Sequence, residues 1–145
     1  MFRSSRWAAL LLSVVAFSGP ATAQAVKRDP AVEAILSEAL VERGAFAACA
    51  RIAPNKAQPV EQVATSWQLD LNDTAKLLRR SGYDAGYVEA LVVRSDLDTA
   101  TPRFSAPAQL AAYCGTLGDW QERLADFKNI VPQESIDRLL KRRLQ

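Results

Sequence analysis

The sequence predicts an all-α protein: a small, irregular or orthogonal bundle of about six short helices holding one disulfide. Apolar residues recur at helical spacing in segment after segment, and no run of convincing length alternates like a half-buried strand. Glycine and proline are few, at 6 and 7 in 145 residues, and the prolines separate the periodic segments too often for a regular four-helix bundle. The only two cysteines, Cys49 and Cys114, each fall within an apolar stripe.

The chain opens with Arg3 and Arg6, an apolar run from Trp7 to Phe17, Gly19-Pro20, and then Ala21-Thr22-Ala23. Basic, apolar, small-x-small is the order of a cleavable secretory signal. The run is about 11 residues against the roughly 20 that a spanning helix requires, so an uncleaved anchor is the weaker reading. Residues 1–23 are expected to be removed, with cleavage after Ala25 as the second choice, and 24–145 to form a single helical domain. The arginines are not adjacent, and no cysteine follows the run to take a lipid. Of 18 Lys and Arg and 16 Asp and Glu, the signal contains two basic and no acidic residues, so the mature chain carries no net charge. A neutral exported domain lacks the basic surface on which nucleic-acid binding rests.

Asp29-Pro30 starts the first helix as N-cap and first-turn proline, and Val32, Ile35, Leu36, Ala39 and Leu40 make its stripe. Gly44 kinks or ends it, after which Phe46, Cys49, Ala50 and Ala53 resume the spacing up to Pro54-Asn55. Pro59 opens a second helix with Val60, Val63, Ala64 and Trp67 on one face. Asp70 and Asp73 are both good caps, so a short break is expected there, followed by a new helix to Ser81 with Gly82 just past its end. Asp84 caps the next, which carries Tyr87, Val88, Leu91 and Val92 and is expected to end near Asp98.

The stretch Thr99 to Ser105 reads as the longest irregular loop. Pro107 then starts a helix with Leu110, Tyr113, Cys114 and Leu117 inward. Asp119 caps one with Trp120, Leu124 and Phe127, and Pro132 leads into the last, whose apolar positions are Ile136, Leu139, Leu140 and Leu144. Cys49 and Cys114 therefore face a core from two separate helices. In an oxidising compartment such a pair is expected to form a structural disulfide.

Chemistry is conspicuous by its missing parts. There is no histidine, and the only methionine is Met1, so the ligand set for zinc, copper or haem is reduced to one cysteine pair. Activation of a Ser or Cys nucleophile by histidine is excluded on the same ground. Carboxylates pair at Glu38 and Glu42, Asp70 and Asp73, and Asp96 and Asp98. Solvated faces and helix caps account for them more simply than glycosidic acid/base chemistry, and the glycine and terminal glutamate of a calcium loop do not follow Asp98. Asp73 to Arg94 has helix-turn-helix proportions, but an exported protein does not meet DNA. A redox role for Cys49 and Cys114 would call for a Cys-x-x-Cys arrangement.

With no cofactor, no metal and no catalytic group to point to, the expected function is contact: an accessory subunit or adaptor of a larger periplasmic or membrane-attached complex. The alternative is a periplasmic inhibitor or immunity protein, or a stress chaperone of the envelope. The expected docking surface is the last helix, with Leu139, Leu140 and Leu144 entering a partner groove and Arg142 and Arg143 meeting its acids. Tyr83 and Tyr87 are the second candidate surface. The partner is another protein of the periplasm or membrane surface, reached through the general export route.

Overall fold

The computed structural model describes Ala25 and residues 28–52, 60–126 and 131–145. The expected signal, the Pro54-Asn55 stop, Pro59 and Phe127 lie outside the described residues. Seven α-helices and no strand are found among the described ones: α1 (Pro30–Cys49), α2 (Val60–Arg80), α3 (Ala85–Arg94), α4 (Leu97–Ala100), α5 (Pro107–Gly115), α6 (Trp120–Ala125) and α7 (Pro132–Arg143). A 3₁₀ turn, Ala50–Ile52, follows α1. The all-α bundle predicted from the spacing is therefore the fold.

Helix α1 is the hub, in contact with α2, α4, α5 and α7, while α3 packs on α2. Its first half is amphipathic, burying Val32 and Leu36. From Arg43 to Cys49 every residue is buried, so the second half is enclosed on all sides. Gly44, Ala45, Ala47 and Ala48 make that possible, since small side chains let neighbouring backbones close in. Gly44 does not end α1, which continues to Cys49. A Cβ there would stand 2.6 Å from the carbonyl oxygen of Ala100, so the glycine is the place where α4 lies against α1. The helix-propensity cost of a mid-helix glycine, about 1 kcal/mol, is what this close approach has to offset.

The expected break at Asp70–Asp73 is also absent, and α2 runs unbroken for 21 residues. Neither aspartate is needed as a cap: Asp70 accepts from Arg43 at 2.9 Å, and Asp73 pairs with Lys76 at 2.9 Å. At the far end the prediction holds. Gly82 has φ +83°, its N–H donates to the Arg79 carbonyl, and the Tyr83 N–H donates to the Leu78 carbonyl, which is the paired-bond stop that glycine favours.

The helix expected from Asp84 to about Asp98 is instead two helices, α3 and α4, divided at Ser95. Two side chains take the groups that a continuous helix would have used. The Trp67 indole N–H donates to the Ser95 carbonyl at 2.8 Å, and Asp96 accepts from the Thr99 N–H at 3.1 Å. Cys49, the last residue of α1, and Cys114 in α5 form a disulfide with Cα atoms 5.9 Å apart, and both are buried. No helix among the described residues is long and apolar enough to cross a membrane.

Candidate functional site

Asp29 anchors a polar cluster that joins the beginning of α1 to the end of α7. As N-cap it accepts from the Ala31 and Val32 N–H groups at 3.1 and 3.3 Å, as the Asp-Pro pattern predicts. Although 4% exposed, it also receives both arms of the Arg143 guanidinium and the Tyr83 hydroxyl. Tyr87 closes the cluster, its hydroxyl donating to the Asp29 carbonyl at 3.3 Å and accepting from the Asp29 N–H at 3.2 Å.

The hydrogen bond from Arg143 holds the Asp29 carboxyl down at about 2, against the opposing pull of burial and with help from Tyr83. Burial and the adjacent carboxylate push the Tyr83 hydroxyl up to about 12. A carboxylate with a depressed folded pKa contributes stability that is complete above the ordinary aspartate range and lost as pH falls through the depressed value. A shift from 3.8 to about 2 corresponds to about 2 kcal/mol. Without the guanidinium, burial would hold the carboxyl higher. Acid titration followed by circular dichroism is therefore expected to show Arg143→Gln unfolding at higher pH than the parent chain. Coincident acid transitions would show that the fork contributes nothing.

A second polar pair lies between α1 and α2. Arg43 is 2% exposed, and its guanidinium donates to the Asp70 carboxylate. Burial pushes the Asp70 carboxyl above its usual range and outweighs the attraction of Arg43, while burial also lowers the Arg43 guanidinium. The sequence contained a signal for this pair, because Arg43 occupies the i+7 position after Leu36, within the apolar stripe of α1. A charge in that register calls for a buried partner.

The expected docking residues are placed differently from one another. Leu139 and Leu140 are half-buried and packed against the core, because α7 lies on both α1 and α2. Arg143 is engaged by the chain's own Asp29, so the acid expected from a partner is supplied internally. Arg142 is exposed and Leu144 is 88% exposed. Tyr83 and Tyr87 are buried, their rings stacked with centroids 6.0 Å apart, and do not form an outward surface.

The outer side of α7 is a row of i,i+4 pairs, Glu134 with Arg138 and Asp137 with Lys141. Of the carboxylate pairs, Glu42 is bridged to Arg123 at 2.8 Å, whose guanidinium also lies over the Phe46 ring. Asp96 is spent on capping α4. Among the described residues no group of three or more His, Cys, Asp or Glu could hold a metal ion.

Several concave surfaces remain among the described residues, and two of them run along α1–α7 and α2–α3. Between α1 and α7 a groove of about 380 Å³ is walled by Ile35, Ala39, Val131 and Pro132, with Glu38, Glu42, Glu134, Ser135 and Arg138 around it. Along the seam of α2 and α3 two adjoining hollows of about 290 and 270 Å³ meet at Val92 and Val93. Neither surface was picked out from the sequence, since each combines half-buried positions from two helices whose pairing is set by the fold. Comparison with known protein families, with curated proteins and with solved structures finds no match to this chain.

Proposed function

We propose that the mature chain is a non-catalytic, exported accessory subunit or adaptor of a larger periplasmic or membrane-attached complex. The observation that carries this is the α1–α7 groove. Its lining is mixed, with Ile35, Ala39, Val131 and Pro132 giving it an apolar part and three glutamates, Ser135 and one arginine making up the rest. Glu38 is exposed and without an ion-pair partner among the described residues, so the groove presents unspent negative charge. Its counterpart would be a partner segment with an apolar face and flanking cations, the reverse of the acidic partner first expected for α7. Further support comes from the buried disulfide and from the use of Asp29, Arg43, Asp70, Tyr83 and Tyr87 inside the fold.

The test is affinity capture of the native protein from envelopes, comparing the parent with Glu38→Arg and Glu134→Arg, both at exposed positions. Loss of the same co-purifying protein in both variants, with unchanged thermal unfolding, is expected. Full recovery would remove the groove as the docking surface. Truncating the chain before Ile136 would not separate docking from folding, because Ile136 is fully buried and Arg143 holds Asp29.

A further inference from the structure

The α2–α3 seam shares no residue with the α1–α7 groove and has a different character. Helices α2 and α3 run antiparallel along it, residues 64–71 lying beside 92–98 and residues 72–79 beside 89–93. From Ala64 to Arg79 the furrow is about 22 Å long at 1.5 Å per helical residue. Val93 lines both hollows and is 70% exposed, which puts a large apolar side chain at the middle of the furrow.

The two ends differ in charge. Asp96 and Asp98 line one end, with no cation among its lining residues. Lys76, Arg79 and Glu89 line the other. Lys76 is paired with Asp73 at 2.9 Å, whereas Arg79 is exposed and has no ion-pair partner among the described residues. The furrow is thus apolar at its centre and acidic at one end, while among the residues lining the other end the cations Lys76 and Arg79 outnumber the one anion, Glu89.

A surface with this layout is complementary to itself. A two-fold axis through Val93 lays the Arg79 end of one copy over the Asp96–Asp98 end of the other, twice, and brings the two Val93 side chains together. Isologous pairing requires this kind of self-match. From this we infer that the furrow is a homodimer interface and that its occupant is a second copy of the chain. The charge pairs lie at the rim, where they set register and association rate, and the valine contact governs retention. Two copies joined this way would each keep an α1–α7 groove, making the adaptor bivalent.

The mature protein, purified from the periplasm, is to be examined by sedimentation equilibrium across micromolar concentrations, with thermal unfolding as the folding control. The parent chain is expected to dimerise in this range, and Val93→Glu to weaken the dimer at least about tenfold without altering unfolding. Arg79→Asp and Asp98→Arg, each at an exposed position, are each expected to be monomeric alone, because each homodimer would set like charges against one another twice. Mixing the two is expected to restore a dimer, since both contacts then pair opposite charges; native mass spectrometry would identify it as the heterodimer.

A parent chain that stays monomeric overturns the inference, as does a dimer indifferent to Val93→Glu or a mixture that fails to pair. A monomer that loses a foreign protein through Val93→Glu would assign the furrow to that partner and likewise overturn the second copy. Glu38→Arg and Glu134→Arg should leave dimerisation unchanged, so failure of the groove proposal and failure of the dimer are read separately.

Discussion

Replacing Asp70 by alanine is expected to destabilise the protein by about 3–5 kcal/mol, the usual effect of removing one partner from a buried ion pair. The Arg43 guanidinium is 2% exposed and donates to the Asp70 carboxylate at 2.9 Å, so truncation leaves a cation inside the bundle with its carboxylate gone. Replacing both residues together, Arg43→Met with Asp70→Leu, is expected to recover most of that loss, because burial already outweighs attraction at Asp70. Denaturant unfolding of the parent, both single variants and the double variant measures the coupling directly. Additive losses would mean that the two residues do not act as a pair.

The pH behaviour separates this pair from the cluster at Asp29. A carboxyl whose folded pKa is raised binds its proton more readily in the folded chain, so its own contribution to stability grows as pH falls through the carboxylate range. The contribution of Asp29 runs in the opposite direction and disappears as pH falls through about 2. Asp70→Asn is therefore expected to reduce the acid-side gain, whereas Arg143→Gln advances acid unfolding.

Removing the disulfide by Cys49→Ala with Cys114→Ala should produce an effect of similar size. The bridge closes a loop spanning 65 residues and joins the central helix to α5. The chain-entropy model gives roughly 4 kcal/mol for such a loop, a fall in melting temperature on the order of 15 °C for a domain this size. Because both cysteines are buried, reductant added to the folded protein is expected to release thiols only at the rate of unfolding. Rapid reduction under native conditions, with no change in melting temperature, would move the bridge from a structural to a redox role. In material exported natively, alkylation without reductant followed by intact-mass measurement is expected to find no free thiol.

Several features were legible because they depend on neighbours in the chain. Asp29-Pro30 caps α1, and Gly82 stops α2 in the left-handed conformation. Cys49 and Cys114 both sit on inward stripes, so their bridge is expected from periodicity together with the export predicted from the N-terminal segment. The misread points all involve groups supplied from elsewhere in the fold. Asp70 and Asp73 look like caps until Arg43 and Lys76 provide ion pairs. Gly44 looks like a helix breaker until the Ala100 backbone is found against it. The division at Ser95 depends partly on Trp67, 28 residues earlier.

The docking residues divide along the same line. Leu139, Leu140 and Leu144 form an apolar edge in sequence, but only Leu144 remains largely exposed once α7 lies on α1 and α2. The Arg142-Arg143 pair reads as a uniform basic rim, yet one is exposed and the other is held by Asp29 across 114 positions.

Local sequence by itself determined the helical class, most helix starts, the glycine stop of α2 and the inward register of both cysteines, because capping, periodicity and backbone preference act within a few residues. Tertiary structure alone decided the partners of Asp29, Arg43 and Asp70, the enclosure of the second half of α1 and the concave surfaces along α1–α7 and α2–α3. A charge or an apolar stripe specifies that something must cover it, and which distant residue does so depends on how the helices pack.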